Sequence, residues 1–140
     1  MFWDKNITLY NRYEDEQTGV IKWYRHELHN CFVKATNNKV NIGNVQLQTD
    51  DNVIRIPAQP NYLPPYEWLN LPNDIKGKYI TLQGGDLIFL GVIKECIDEY
   101  VSGQRSSDLI AKYKSLGSVF VNSVNIDTFM LGEHYFVRGE

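Results

Sequence analysis

All five prolines of this 140-residue chain lie between Pro57 and Pro72. Proline has no backbone N–H and fixes φ, so this stretch is incompatible with a central strand or a helix interior. Aromatic residues fill the gaps between the prolines, which argues against a disordered linker because such linkers are poor in aromatics. The sequence therefore predicts a stiff, ordered, proline-rich loop over 57–77, and leaves the rest of the chain to form regular structure.

The remaining residues have the alternating, β-branched composition of short strands separated by turns. Strands are predicted over 7–13, 20–24, 28–35, 45–49, 53–56, 78–82, 87–93, 119–126 and 134–138. Turns are predicted over 14–19, 36–44, 50–52, 73–77 and 83–86. One segment, 107–116, has the spacing of apolar residues that indicates a helix. The pattern predicts a single mainly β domain over 1–140, a small β-barrel or sandwich with one short helix and a protruding arm at 57–77.

Composition excludes several classes of function. The content of 43% hydrophobic and 22% charged residues is ordinary for a soluble globular protein. A net charge of −3, with no run of Lys and Arg, argues against general nucleic-acid binding. No apolar run reaches membrane-spanning length, and the N-terminal residues lack the apolar core of a signal peptide. We therefore expect no membrane partner and synthesis in the cytoplasm.

Patterns that could carry chemistry are weak. His29 and Cys31 would share one face of a regular strand and could bind a metal, but no third and fourth ligand is evident. The acidic run 14–16 reads as a solvated hairpin tip, and 84–86 as a turn without the rest of a phosphate-binding loop. Both cysteines, at positions 31 and 96, are predicted to be buried thiols. The sequence thus predicts no catalytic residue, no metal and no cofactor, and a protein that is not an enzyme.

The proline-rich arm is the region that most favours a functional role. Pro-rich segments are preorganised and lose little entropy on binding, and Tyr and Trp are frequent hot spots of interfaces. The arm can contact a neighbouring subunit or fold back over its own barrel, and the sequence leaves both open. On the first interpretation, replacing both Tyr66 and Trp68 with alanine would weaken assembly and leave the domain folded. The predicted contact residues are Tyr62, Leu63, Tyr66, Trp68 and Leu71.

The layout resembles the head-closure proteins of tailed bacteriophages, also called stopper or head–tail joining proteins. The first hairpin carries much of the similarity, with a strand at 7–13, a polar turn ending at Gly19 and a second strand that contains Trp23. Gly85-Asp86 before an apolar run and the closing strand 134–138 match the later part. The chain is also similar to minor virion structural proteins of siphophages and of prophages in Gram-positive bacteria.

The resemblance implies a structural protein of the virion neck, made in the cytoplasm of the bacterial host. Such a protein forms a six- or twelvefold ring below the portal or adaptor protein and above the tail. It closes the DNA-filled head and joins the tail, and packaged DNA passes its channel without sequence-specific binding. Two alternatives stay open: a tail terminator or other tail-tube protein, and a monomeric aromatic-rich module that binds carbohydrate or protein.

Overall fold

Six antiparallel strands form a closed barrel in the computed structural model of the chain, which describes residues 4–42, 45–127 and 134–140. The strands are β1 (Lys5–Glu14), β2 (Ile21–Ile42), β3 (Val45–Pro57), β4 (Leu87–Phe89), β5 (Ser118–Asp127) and β6 (His134–Gly139). The described helices are α1 (Pro65–Leu69), α2 (Asn73–Lys76) and α3 (Ser106–Lys112). The order around the barrel is β1, β2, β3, β6, β5, β4, and β4 pairs back with β1. The predicted mainly β fold is confirmed.

Aliphatic side chains from alternate positions of the strands fill the barrel interior. Leu9 of β1 lies opposite His26 of β2 on one side and Ile88 of β4 on the other. Each large aliphatic side chain that leaves water here contributes about 1.5–3 kcal/mol, so the interior supplies much of the stability. The buried members are Ile7, Leu9, Leu28, Cys31, Ile54, Ile56, Ile80, Leu82, Ile88, Val119, Val121, Tyr135 and Val137.

A second apolar cluster lies on the outer face of β1 and β4, beneath α3. Tyr10, Leu87 and Phe89 occupy the strand positions that alternate with the interior ones, and Leu109 of α3 packs against them. The predicted helix is confirmed, although it ends at Lys112 rather than at residue 116. Its start is fixed by a capping box, in which the side chain of Asp108 accepts the backbone N–H of Arg105 at 3.2 Å.

An irregular segment, 90–105, is fastened to the outer face of β1 and β2 by side chains of those strands. Thr8 Oγ1 donates to the carbonyl of Gly91 at 2.8 Å, and Arg25 Nε donates to the carbonyl of Ile93 at 2.8 Å. These bonds draw the backbone away from the ladder beyond Phe89. The strand predicted over 87–93 is therefore wrong beyond residue 89.

Strands β2 and β3 are much longer than predicted. The turns predicted over 36–44 and 50–52 are wrong for the described residues, which continue both strands and pair with each other from Thr36↔Asp51 to Ile42↔Val45. Their Asn and Asp residues indicated turns, but cross-strand pairing decides the backbone here. Residues 43 and 44 lie outside the described residues. The strand predicted over 78–82 is also wrong, since Ile80 makes an isolated bridge with Tyr62.

A buried carboxylate, Asp86, ties the turn before β4 to β1. Its Oδ1 accepts the backbone N–H of Arg12 at 2.9 Å. Its Oδ2 accepts the backbone N–H of Gln83 at 3.0 Å and Nδ2 of Asn11 at 2.9 Å. Burial raises the pKa of Asp86 to about 7, and the three N–H donors act in the opposite direction. The turn predicted over 83–86 is confirmed, with Gly85 at φ +94°.

Replacing Asp86 with Asn tests this buried junction. The substitution exchanges one acceptor oxygen for an NH₂ group, so at least one buried N–H loses its acceptor. We expect the free energy of unfolding at pH 5 to fall by about 1–3 kcal/mol in urea denaturation. Asp4→Asn, at an exposed position, is the control and should change it by less than about 0.5 kcal/mol. Equal stability of D86N and the wild type would contradict the assigned role.

The raised pKa of Asp86 also predicts a dependence of stability on pH. Because its pKa in the fold is about 7, above the ordinary 3.8, the fold favours the protonated carboxyl. That stabilisation is fully present below pH 3.8 and is lost as the pH rises through about 7. We expect the difference in unfolding free energy, wild type minus D86N, to decrease from pH 4 to pH 7. A difference that is flat over this range would show that Asp86 titrates normally.

Candidate interaction surfaces

The proline-rich segment closes the end of the barrel near the β1–β2 turn. Trp68 of α1 is fully buried and contacts the rings of Tyr13 and Tyr24 edge-on, at centroid distances of 6.3 and 5.6 Å. Its Nε1 donates to the carbonyls of Lys76 and Tyr79, both at 3.2 Å. The predicted protruding arm is therefore wrong: the segment folds back over its own barrel, because this indole fills the barrel end.

Lys76 completes this closure. Its side chain is buried, with Nζ 4.5 Å from the centroid of the Tyr13 ring and 5.7 Å from that of Trp68. The ammonium donates to the carbonyl of Leu71 and to Asn73 Oδ1, so the buried charge has both acceptors and aromatic faces. Burial lowers the pKa of Lys76, and the nearby Asp15 carboxylate opposes that shift.

The five predicted contact residues have different surroundings. Tyr66 has the most exposed side chain, at 68%, and Leu63 and Leu71 are half-buried. Tyr62 stacks on Tyr135 of β6 at 4.3 Å and packs against the barrel core. The prediction of Trp68 as a surface contact is wrong, since its ring has no exposed area. Tyr66 is thus the aromatic of the segment that is placed to meet another molecule.

Tyr66 lies on an open groove of about 620 Å³ between α1 and the β1–β2 turn, which we call the acidic groove. Three consecutive carboxylates of the turn line it, and Leu69, which is 44% exposed, adds an apolar rim. The backbone N–H groups of Gln17 and Thr18 donate to Asp15 and lower the pKa of its carboxyl, so it carries its charge at neutral pH. The lining residues are Tyr13, Glu14, Asp15, Glu16, Gln17, Tyr66, Leu69 and Asn70.

The outer surface of β2, β3 and β6 has the opposite character. We call it the cationic face, and define it by Phe32, Lys34, Arg55, Phe136 and Arg138. The register places Phe32, Arg55 and Phe136 in one row across the strands, with Lys34 and Arg138 in the next row. The guanidinium carbons of Arg55 and Arg138 lie 4.7 and 5.4 Å from the centroid of the Phe136 ring. Three cations are therefore gathered around an aromatic pair.

Sequence reasoning missed the cationic face because its cations come from three strands that are distant in the chain. No local run of Lys and Arg marks it. The one sequence signal is the pair of similar short patterns, Phe32-Val-Lys34 and Phe136-Val-Arg138, in two different strands. Only the register of β3 against both neighbours shows that these patterns lie side by side.

Strands β2 and β3 continue beyond the barrel as a two-stranded ribbon, defined as residues 36–42 and 45–51. Seven cross-strand pairs hold it together. Among the described residues, β1 stops pairing with β2 at Cys31 and β6 stops pairing with β3 at Asn52, so the ribbon has no third strand. Isolated two-stranded ribbons are marginally stable in water, and their edges carry unpaired backbone groups. Pairing with a further strand would therefore stabilise the ribbon.

The residues His29 and Cys31 do not share a face. Asn30, at φ +59°, breaks the alternation between them. Cys31 is buried, with its thiol directed to the carbonyl of His29, whereas the His29 side chain is 56% exposed beside Glu27. Within the described ranges, no group of three His, Cys, Asp or Glu side chains could hold a metal ion. The prediction of two buried thiols is wrong for Cys96, which is exposed.

Comparison with known proteins identifies a family for the whole chain. Residues 2–140 match the family model described as a family of unknown function, DUF6751. The chain belongs to DUF6751. No curated protein and no solved structure matches it. The DUF6751 match spans the barrel, the proline-rich segment and α3. None of the helices in the described ranges has the length and apolarity needed to cross a membrane.

The closure of the barrel end predicts opposite results for two neighbouring aromatics. Trp68→Ala removes a fully buried indole, so we expect the free energy of unfolding to fall by about 3–5 kcal/mol. Tyr66→Ala, on the exposed side of the same helix, should change it by less than about 0.5 kcal/mol. Urea denaturation followed by circular dichroism measures both. Comparable stabilities for the two variants would refute the closure. The double variant would carry the loss of stability that Trp68→Ala causes, so Tyr66→Ala alone is the informative assembly mutant.

Proposed function

We propose that this DUF6751 protein is a virion structural protein at the head–tail connector of a tailed phage. In this role it forms a ring below the portal or adaptor protein, closes the DNA-filled head and joins the tail. The observation that carries the proposal is the ribbon, which extends beyond the closed barrel and pairs on its outer edges with no other strand of the described residues. On the resemblance to head-closure proteins, we expect the ribbon to contact a neighbouring subunit or another protein of the connector.

The barrel itself is organised for stability. Aliphatic side chains fill its interior, and Trp68 and Lys76 close one end. Three of its buried titratable side chains are held in separate places: His26 on the inner face of β2, Tyr10 on the outer face of β1, and Asp86 in the turn before β4. Burial lowers the pKa of His26 to about 4 and raises that of Tyr10 to about 12, so both are neutral at pH 7. This arrangement supports a function that depends on outward contacts.

A ring requires a heterologous interface, in which one surface of each subunit meets a different surface of the next. An arm that projects from one subunit can reach its neighbour, and open strand edges can pair with a neighbouring backbone. The ribbon supplies such an arm on the described part of the chain. The exposed Tyr66 and the half-buried Leu63 and Leu71 supply further contact area at the closed end.

Shortening the ribbon tests whether it serves assembly. In the test variant, Thr36 and Asp51 are joined by an Asn-Gly turn, the two-residue connection that best suits a hairpin. The barrel pairs are untouched, so we expect the midpoint of thermal unfolding to stay within about 4 °C of the wild type. Assembly with its own copies or with the connector, measured by mass photometry, should be lost. Normal assembly of the shortened protein would contradict the proposed role of the ribbon.

Removal of the gene from the encoding phage or prophage tests the function itself. We expect electron microscopy of the lysate to show separate tails of normal length and heads that have packaged and then lost their DNA. Filled heads beside tails of uncontrolled length would instead indicate a tail terminator. Complete particles would reject both connector roles and favour the monomeric binding module. Restoring the wild-type gene should rescue particle formation, and the shortened-ribbon gene should fail to do so.

A further inference from the structure

We propose that neighbouring copies of this chain dock head to tail, with the acidic groove of one copy against the cationic face of the next. The inference rests on the ring function proposed above and specifies the subunit contact. It follows from the positions, charges and apolar components of two surfaces described on the same chain.

The acidic groove presents three neighbouring carboxylates, and the charges of Lys22 and Lys76 act on the one of Asp15. Glu14 and Glu16 are exposed, and Asp15 is partly exposed between them. Arg12 lies 3.4 Å from Glu14. Among the described residues, Glu16 has no cationic partner. Tyr66 adds an exposed aromatic ring on the opposite wall of the groove.

The cationic face offers the complementary groups. Lys34 and Arg138 are exposed, and neither forms an ion pair with a described carboxylate. The stacking of Arg138 on Phe136 restricts the orientation of its guanidinium group, and a fixed guanidinium can donate two parallel N–H bonds to one carboxylate. The half-buried Phe136 gives this face an apolar component, as Tyr66 does for the groove.

The two surfaces cannot neutralise each other within one chain. Glu14 pairs with Ile21 at the start of β2, whereas Lys34 lies far along the same strand. The intervening residues correspond to roughly 40 Å of strand at about 3.3 Å per residue. A contact between the surfaces must therefore join two copies, and it leaves a free groove at one end and a free face at the other until a ring closes.

Charge balance favours a second copy over nucleic acid as the occupant of the cationic face. The chain has a net charge of −3, and the face gathers only three cations. Nucleic-acid affinity rises with the number of phosphates neutralised, so three cations give a weak and highly salt-sensitive site. The acidic groove is present on every copy. Its carboxylates complement the cations of the cationic face, and its exposed Tyr66 ring can pack against the phenylalanines of that face.

Carbodiimide cross-linking gives the most direct test, because it joins a lysine amine to a carboxylate without a spacer. At high concentration of the full chain, we expect mass spectrometry to find Lys34 joined to Glu14 or Glu16 in the dimer band. That bond must be intermolecular, given the separation along β2. The Lys34→Arg variant keeps the charge and removes the reactive amine, so it should lose the cross-link and keep self-association.

Two charge-reversed variants test the pairing by complementation. One carries Glu14→Lys and Glu16→Lys in the groove, and the other carries Lys34→Glu and Arg138→Glu on the face. Each alone should self-associate at least tenfold more weakly in sedimentation velocity, because like charges then meet. An equal mixture should recover association, since each contact again joins opposite charges.

Asp4→Lys and Lys114→Glu, at exposed positions outside both surfaces, are matched controls that should associate normally. Thermal unfolding confirms that each variant is folded.

Several results would overturn the proposal. A mixture that associates no better than its components would do so, as would a wild-type chain that stays monomeric and yields no cross-link. Rings that survive both charge reversals would reject this contact and leave the ring function standing. Loss of binding to a 30-base-pair DNA duplex in the face variant, with unchanged self-association, would make the face a nucleic-acid surface. The gene-removal phenotype judges the proposed function independently of all these outcomes.

Discussion

The structure depends on β1 being buried on both faces and paired along both edges. Residues 7–11 have no exposed area, although the stretch contains Thr8 and Asn11. A buried polar group destabilises a fold unless it is hydrogen-bonded, so each of these side chains requires a partner from elsewhere in the chain. Thr8 bonds to the backbone of the 90–105 segment, and Asn11 bonds to Asp86. The irregular parts of the protein thus lie where β1 has polar groups to satisfy.

Local patterns in the sequence predicted the elements that local interactions determine. The first hairpin, α3 and the last two strands were all foreseeable from alternation, capping residues and glycine positions. The length of β2 and β3 was not, because the Asn and Asp residues of 36–51 have turn propensity and only cross-strand pairing overrides it. Long-range register is absent from a single sequence, and the cationic face depends on it entirely.

The side-chain directions in the proline-rich segment could not be predicted from the sequence either. Its composition correctly indicated an ordered, aromatic-rich segment, but composition does not fix the direction of a side chain. Trp68 and Tyr66 lie two residues apart, and the helical turn that starts at Pro65 sends one ring into the barrel end and the other towards solvent. The segment is therefore both a structural closure and a rim of the acidic groove. The barrel holds surfaces of opposite charge at a fixed separation, which suits a component that repeats around an axis.

The placement of the two surfaces along the chain affects which truncated chains could join an assembly. The acidic groove is built from residues 13–17 and 66–70, so the first half of the polypeptide contains all of its lining. The cationic face requires Phe136 and Arg138, which belong to the last strand. A polypeptide that is prematurely terminated or clipped near its C-terminus would keep its groove residues and lack a complete face. Because β6 also closes the barrel between β3 and β5, such a molecule would lose the fold that shapes the groove as well. In the proposed head-to-tail contact, only chains with a complete last strand could therefore join an assembly.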